Sequence, residues 1–423
     1  MKRFIGAAIL AALSFAFPAA AQDWQPVWSD EFDKPGATDP AKWTYEVGGH
    51  GWGNKEAQFY TDNRRENSRV IADKKTGRLV IEARKEEFSG AKYTSARLKS
   101  VADWTYGRME IRAKLPGGTG TWPALWLLPT ATSYGTKLWP DNGEIDIMEQ
   151  VGFDSSRIHG SIHTLTYNHI ISTQKTVNIT LSDLMTNYHV YRLEWMPHEI
   201  RIYIDDVGYF TYPRTLAEWQ VWPFDKPFAL RLNLAVGGNW GGAQGIDDSV
   251  FPRSMEIDYV RVFKANSTPF GASPVALPGR VEAENYDRGG EGFAFHDTDP
   301  ANNGGMHRTD SVDIGASGDS DKTPAVGWVG FGEWLTYSVA VAKAGDYEFA
   351  VRVASPNDGR KFYFEVDDKR ATPDITVPVT GDWNKWQTVS VSGVPITAGA
   401  HKIRLVPVSE GFNINWFDVR EAK

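Results

Sequence analysis

The chain has 423 residues, with 53 acidic against 45 basic side chains and a formal net charge of −8. That balance argues against nucleic acid or an anionic membrane as partner and suits a neutral ligand. Cysteine is absent, which excludes a disulfide framework, a thiolate nucleophile and a Cys-based metal site, while tryptophan stands out at 17 residues.

Read in chain order, residues 1–21 have the pattern of a signal peptide. Lys2 and Arg3 form a positive start, Phe4 to Phe17 is mostly apolar, and Ala19-Ala20-Ala21 fits a cleavage site. The apolar stretch is short against the ~20 residues of a membrane span. The expectation is a secreted protein, extracellular or periplasmic, cut near Ala21. From Gln22 onward, short runs with strand chemistry alternate with Gly, Pro, Asn and Asp. Arg78 to Arg84, Gly107 to Lys114, Tyr188 to Trp195, Ile200 to Asp205 and Met255 to Phe263 show period-two alternation. No long stretch has a 3.6-residue period. The fold expected is all-β, with a sandwich over 22–264. Residues 265–279, rich in Asn, Ser, Pro and Gly, read as a linker. Residues 280–423 are again strand-like, as in Gly345 to Val353 and His401 to Pro407, and fit a smaller β-sandwich.

The run Gly143-Glu144-Ile145-Asp146-Ile147-Met148-Glu149 is the most informative part of the chain. On a regular strand Glu144 and Asp146 share a face and Glu149 points the other way. A β-bulge near Ile147-Met148 would return Glu149 to that face. Three acids together repel unless one holds a proton. Glycoside hydrolysis uses that division, with one ionised and one protonated carboxyl held ~5–5.5 Å apart in retaining enzymes. Spacing alone also fits an exposed acidic strand face, or a site for a hard cation.

This run resembles the signature of glycoside hydrolase family 16 in its bulged form. Thr121 to Pro129, His159-Gly160-Ser161-Ile162-His163, Leu232 to Trp240 and Ile257 to Val262 follow the family's order of motifs, over about Trp24 to Lys264. The combination is most similar to the laminarinase branch, which implies a β-jelly roll with a concave cleft and hydrolysis of β-1,3-glucan. By that resemblance Glu144 is the nucleophile, Glu149 the acid/base and Asp146 the assisting carboxylate. Trp122, Trp126 and Trp240 are implied cleft aromatics, although core packing is the competing role for any single Trp. Asn54, Arg97, Trp139 and His163 are further implied cleft contacts. His159 and His163 lie four residues apart on a strand, ~13 Å, which is too far for a metal pair. No catalytic cofactor is expected. A structural Ca²⁺ is implied at Glu31 and Asp258.

Residues 280 to 419 resemble carbohydrate-binding module family 6, through Val281 to Tyr286, Gly332 to Tyr337 and Phe412 to Asp418. That likeness implies sugar contacts from Trp328, Trp383 and Asn413 or Asn415, and a second Ca²⁺ held by Glu282, Glu284 and Asp418. The partner implied is a polysaccharide, with the protein a monomer. Competing readings are a mixed-linkage glucanase or agarase-like sibling, a transglycosylase, and a glucan-binding protein without hydrolysis.

Overall fold

A computed structural model describes residues 24–72, 76–216, 218–299 and 301–422. The expected signal peptide lies outside these residues. The chain divides into two compact units that meet in sequence at Ala265 and Asn266. Each is a β-sandwich, and the helical pieces among the described residues are single 3₁₀ turns.

The first unit packs a ten-stranded sheet on a seven-stranded sheet. The larger sheet is built on Arg253–Ala265, flanked by Gly107–Lys114 and Gly77–Phe88. Met255 and Ile257, then Val260 and Val262 beyond a shift in register, point inward from that strand, and Met109, Ile111 and Ala113 from its neighbour; all are fully buried. The smaller sheet places Phe228–Val236 between Thr121–Pro129 and Arg97–Ser100. Beyond Thr121–Pro129 it continues through Glu144–Glu149 and Arg157–His163 to Lys175–Thr180.

Alternation gives each strand of the smaller sheet two jobs. Leu230, Leu232 and Leu234 enter the core, as do Leu125, Leu127, Ile158 and Ile162. The residues between them, including Trp122, Trp126, His159, His163, Arg231 and Asn233, face away from the core. An apolar inward face of this size supplies most of the driving force for the sandwich, at roughly 25 cal/mol per Å² removed from water. The outward face is left free to carry chemistry.

The second unit packs a seven-stranded sheet on a six-stranded sheet, around Tyr337, Phe349, Phe364 and Phe417. It takes up the stretch expected as a linker. Val275–Leu277 is a strand paired in parallel with Trp334–Val341. Ser267 accepts from Lys402 Nζ through its carbonyl and hydroxyl, at 2.7 and 2.8 Å. Lys402 also reaches Asp287 and Ser338. Composition suggested slack chain here; a buried Leu277 and a saturated ammonium tie it down instead.

Candidate active site

The acidic run forms the strand Glu144–Glu149 with the bulge at the expected place. Against Arg157–His163, Glu144 pairs with His163 and Asp146 with Ser161, but Glu149 pairs with His159. Against Thr121–Pro129, Asp146 pairs with Trp126 and Met148 with Leu125. Ile147 is therefore the extra residue. Ile145, Ile147 and Met148 are all fully buried in the core. Two consecutive inward side chains reset the alternation, and Glu149 emerges on the face of Glu144 and Asp146.

The three acids line a trough on the outer face of the smaller sheet. It has two hollows, of about 290 and 450 Å³, which share Asn54, Trp122, Glu144, Glu149 and His169. The first extends along Trp52, Glu56, Arg97, Trp126, Trp139 and Asn233. The second extends along His159, His163, Thr176, Asn239 and Trp240. The glutamates thus sit at the waist of a groove that continues on both sides.

Ligating atoms of Glu144, Asp146 and His163 all lie within 4.8 Å of one another. His163 Nε2 is 3.2 Å from Asp146 and 3.9 Å from Glu144. Trp122 Nε1 donates to Glu149 at 3.0 Å. Burial, with Asp146 alongside, pushes the Glu144 carboxyl up to about 8, against a pull downward from His163 and Arg97. Burial and the charge of Glu144 push Glu149 up to about 7. Asp146, only 1% exposed, is raised most clearly, by burial and then by Glu149. The cluster therefore holds protons near neutral pH instead of three charges, and it titrates as one unit.

The flanking residues are held firmly. Arg97 has Trp52 on one side, 4.6 Å from guanidinium carbon to ring centroid, and Trp126 at 4.7 Å. Its Nε donates to Glu46, which also accepts from Arg231 at 3.2 Å. Trp126 Nε1 donates to Asn233 at 2.7 Å. Trp240 packs edge-on to Trp122 and His159, with centroids 5.6 and 4.9 Å apart. Trp139 lies near His163 and His169, its indole N–H buried without a partner. Every cleft residue expected from sequence thus reaches the trough. Their indoles are half-buried, unlike the fully buried Trp43, Trp195 and Trp222.

Trp52, Glu56 and His169 reach the trough without having been anticipated. Trp52 sits at φ 49° between Gly51 and Gly53, a bulky residue in left-handed backbone. Such strain is concentrated at functional sites, and an indole inside a Gly-rich turn was the available signal. The Glu56 carboxylate accepts from Gln58 at 2.7 Å and from Tyr60 at 3.2 Å.

The expected cation sites divide. Glu31 is bound by Arg261 at 2.8 and 3.0 Å, and Asp258 by Arg112. Each carboxylate is neutralised separately, and the donor set does not fit a shared Ca²⁺. Glu282 and Glu284 each keep a buried Oε2 without a hydrogen-bond partner. Burial raises Glu284 to about 7, with Glu282 and Asp321 adding repulsion. Those two acids fit a hard cation. Asp418 instead pairs with Arg280 and Arg420.

On the second unit, Trp328, Trp383 and Asn413 line a hollow of about 620 Å³ together with Trp386 and Arg360. Trp328 is 59% exposed and Trp383 42%, which rules out a core role for either. Asn413 Nδ2 donates to the Trp383 carbonyl at 3.0 Å. Asn415 is fully buried and bonded to Asp319, Asp321 and Thr323, so it lies in the scaffold.

Residues 52–261 match the model for glycosyl hydrolases family 16. A beta-glucanase of Rhodothermus marinus is 53% identical over 251 residues, which cover 58% of this chain and 86% of that protein. A glucan endo-1,3-beta-glucosidase of Cryptopygus antarcticus is 35% identical over 285 residues, covering 63% of this chain and 100% of that one. The crystal structure of the laminarinase from Rhodothermus marinus superposes with a TM-score of 0.56 at 52% identity, over 58% of this chain and 99% of that one. Residues 308–419 match carbohydrate binding module family 35, which corrects the expected family 6. The motifs behind that expectation contain Val281, Ala283, Tyr286, Tyr337, Phe412 and Phe417, all of them buried. They report on the sandwich core, which does not discriminate between module families.

Proposed function

Because the chain belongs to glycosyl hydrolase family 16, we infer that it is a retaining endo-β-1,3-glucanase with Glu144 as nucleophile and Glu149 as general acid/base. The observation that carries this reading is the bulge at Ile147, which turns Glu149 onto the face of Glu144 at the waist of an open groove. A groove that continues past the reacting pair on both sides accommodates an internal stretch of polymer. Indoles along it offer flat apolar faces to pyranose rings, and binding of remote sugars can drive distortion at the scissile one.

In the first step Glu144 attacks the anomeric carbon while the Glu149 proton passes to the departing glycosidic oxygen, and the C–O bond breaks. In the second, water adds to the anomeric carbon, Glu149 takes its proton and the bond to Glu144 breaks, giving net retention. Charge is allotted within the cluster by environment. Asp146 is the least hydrated of the three, so it is the best resting place for a shared proton. Burial and a charged Asp146 hold Glu144 up; with the shared proton on Asp146 that repulsion is gone, and His163 and Arg97 draw Glu144 toward its ionised form. Glu149, held near 7, can both give and take a proton at neutral pH.

The second unit serves as a polysaccharide-binding module through Trp328 and Trp383, raising the local substrate concentration by tethering. Ca²⁺ at Glu282 and Glu284 would neutralise their orphaned oxygens. Secretion after cleavage near Ala21 and a monomeric state complete the proposal. The test is a product profile on laminarin, lichenan and agarose for wild type and Glu144→Gln, with the anomer of the first product followed by NMR. Faster release from lichenan or agarose than from laminarin would overturn the linkage preference. An α-anomeric first product would overturn the retaining mechanism.

A further inference from the structure

The bulge that presents Glu149 leaves a problem at its centre. An extra residue disrupts the ladder locally, and a buried backbone carbonyl needs a donor. Ile147 is such a residue, fully buried between two paired strands. Its carbonyl accepts from the Tyr209 hydroxyl at 3.1 Å. Tyr209 belongs to Val207–Pro213, at the edge of the opposite sheet, and its ring packs against the core. Burial and the nearby Asp146 keep that hydroxyl protonated, as a donor must be.

A second observation concerns the space this contact needs. Gly160 sits between His159 and Ser161 on the strand next to the bulge. A Cβ placed there would lie 2.9 Å from the Tyr209 hydroxyl oxygen, 3.1 Å from its ring and 3.0 Å from Ile202. Gly160 has no left-handed φ to explain it, so closeness of approach is what requires a glycine here.

We propose that Tyr209, seated over Gly160, is a positioning residue that pins the bulge through the Ile147 carbonyl and thereby holds Glu149 at its working place. The proposal rests on Glu149 being the acid/base. Tyr209 touches no substrate and transfers no proton. Its effect is geometric, and misplacement of a reacting group by about 1 Å can cost on the order of a hundredfold in rate.

The experiment separates acid assistance from general damage. Hydrolysis of β-glucan needs a protonated leaving group; glycosylation by a 2,4-dinitrophenyl β-gluco-oligosaccharide does not. For Tyr209→Phe in the full chain, kcat/KM on glucan should fall about tenfold or more, while kcat/KM on the dinitrophenyl substrate stays within about twofold. Gly160→Ala should give the same split, and it carries the test should Tyr209→Phe not fold. An equal loss on both substrates, or no loss on glucan, would overturn the proposal. Glu149→Ala is the reference. If it shows the split and Tyr209→Phe does not, the positioning role alone is wrong. If Glu149→Ala shows none, the assignment of the acid fails first.

Discussion

Replacing Glu144 by Gln should abolish activity and, at alkaline pH, make the protein more stable. Three carboxyls share one buried site, so their full ionisation works against the fold. Burial and Asp146 carry Glu144 from 4.5 to about 8. Each pH unit corresponds to about 1.4 kcal/mol. Standing alone, Glu144 would cost about 5 kcal/mol above pH 8. Part of that returns when Asp146 and Glu149 relax, so the expected gain for Glu144→Gln is about 1–3 kcal/mol. A carboxyl bound more tightly by its proton in the folded state contributes stability that is full below pH about 4.5 and drains away as pH rises to about 8. The gain should therefore be near zero at pH 4 and largest at pH 8.5. For a domain of this size it corresponds to roughly 2–4 °C in Tm per kcal/mol. Differential scanning calorimetry of wild type and variant at pH 4, 6 and 8.5 reads it directly, alongside a reducing-sugar assay showing a loss of at least about a thousandfold. A Tm difference independent of pH, or a less stable variant at pH 8.5, would refute the reasoning.

Trp122→Phe removes an N–H that favours ionised Glu149. The basic limb of the kcat/KM profile should move to higher pH by about one unit, given the worth of a hydrogen bond to a charged group; a limb that stays put or moves down counts against the contact. Trp328→Ala with Trp383→Ala should abolish retention on insoluble glucan in a pull-down and leave hydrolysis of short soluble oligosaccharides unchanged, because both side chains are exposed. Glu46→Gln frees two guanidinium groups in a partly buried site; chemical denaturation should show a loss of about 2–4 kcal/mol, with KM rising as Arg97 loosens. Millimolar Ca²⁺ should raise the Tm of wild type by a few degrees and leave Glu284→Gln unmoved, since a ligand binding only the folded form stabilises by mass action.

Much of the site was legible because it is built from strands. Alternation identifies the outward row Trp122, Trp126 and the inward row Leu125, Leu127 without any coordinates. The offset of five between Glu144 and Glu149 forces a bulge if both face one way, and the register shows it at Ile147. Trp52, Glu56 and His169 were not legible because loops bring them in, and loop paths depend on packing among distant residues. Glu46 was missed for a related reason: its role is defined by Arg97 and Arg231, 51 and 185 residues away. Residues 265–279 misled because Pro, Gly and Ser mark irregular chain whether or not something pairs with it. The parallel neighbour of Val275–Leu277 is Trp334–Val341, far along the chain, so no local pattern marks the pairing.

The bulge also bears on how this site tolerates changes in chain length. In an ordinary strand, removing one residue flips every later side chain to the opposite face. Removing Ile147 or Met148 would do something different here. The shortened run would keep acids at its first, third and fifth positions, which is the spacing of one face on a regular strand. The same three carboxyls would still look outward, on a straighter backbone and without the bulge whose carbonyl Tyr209 now meets. The strand that bears the chemistry is thus a place in the sheet where a one-residue deletion preserves the identity of the presented side chains and alters only their spacing and aim.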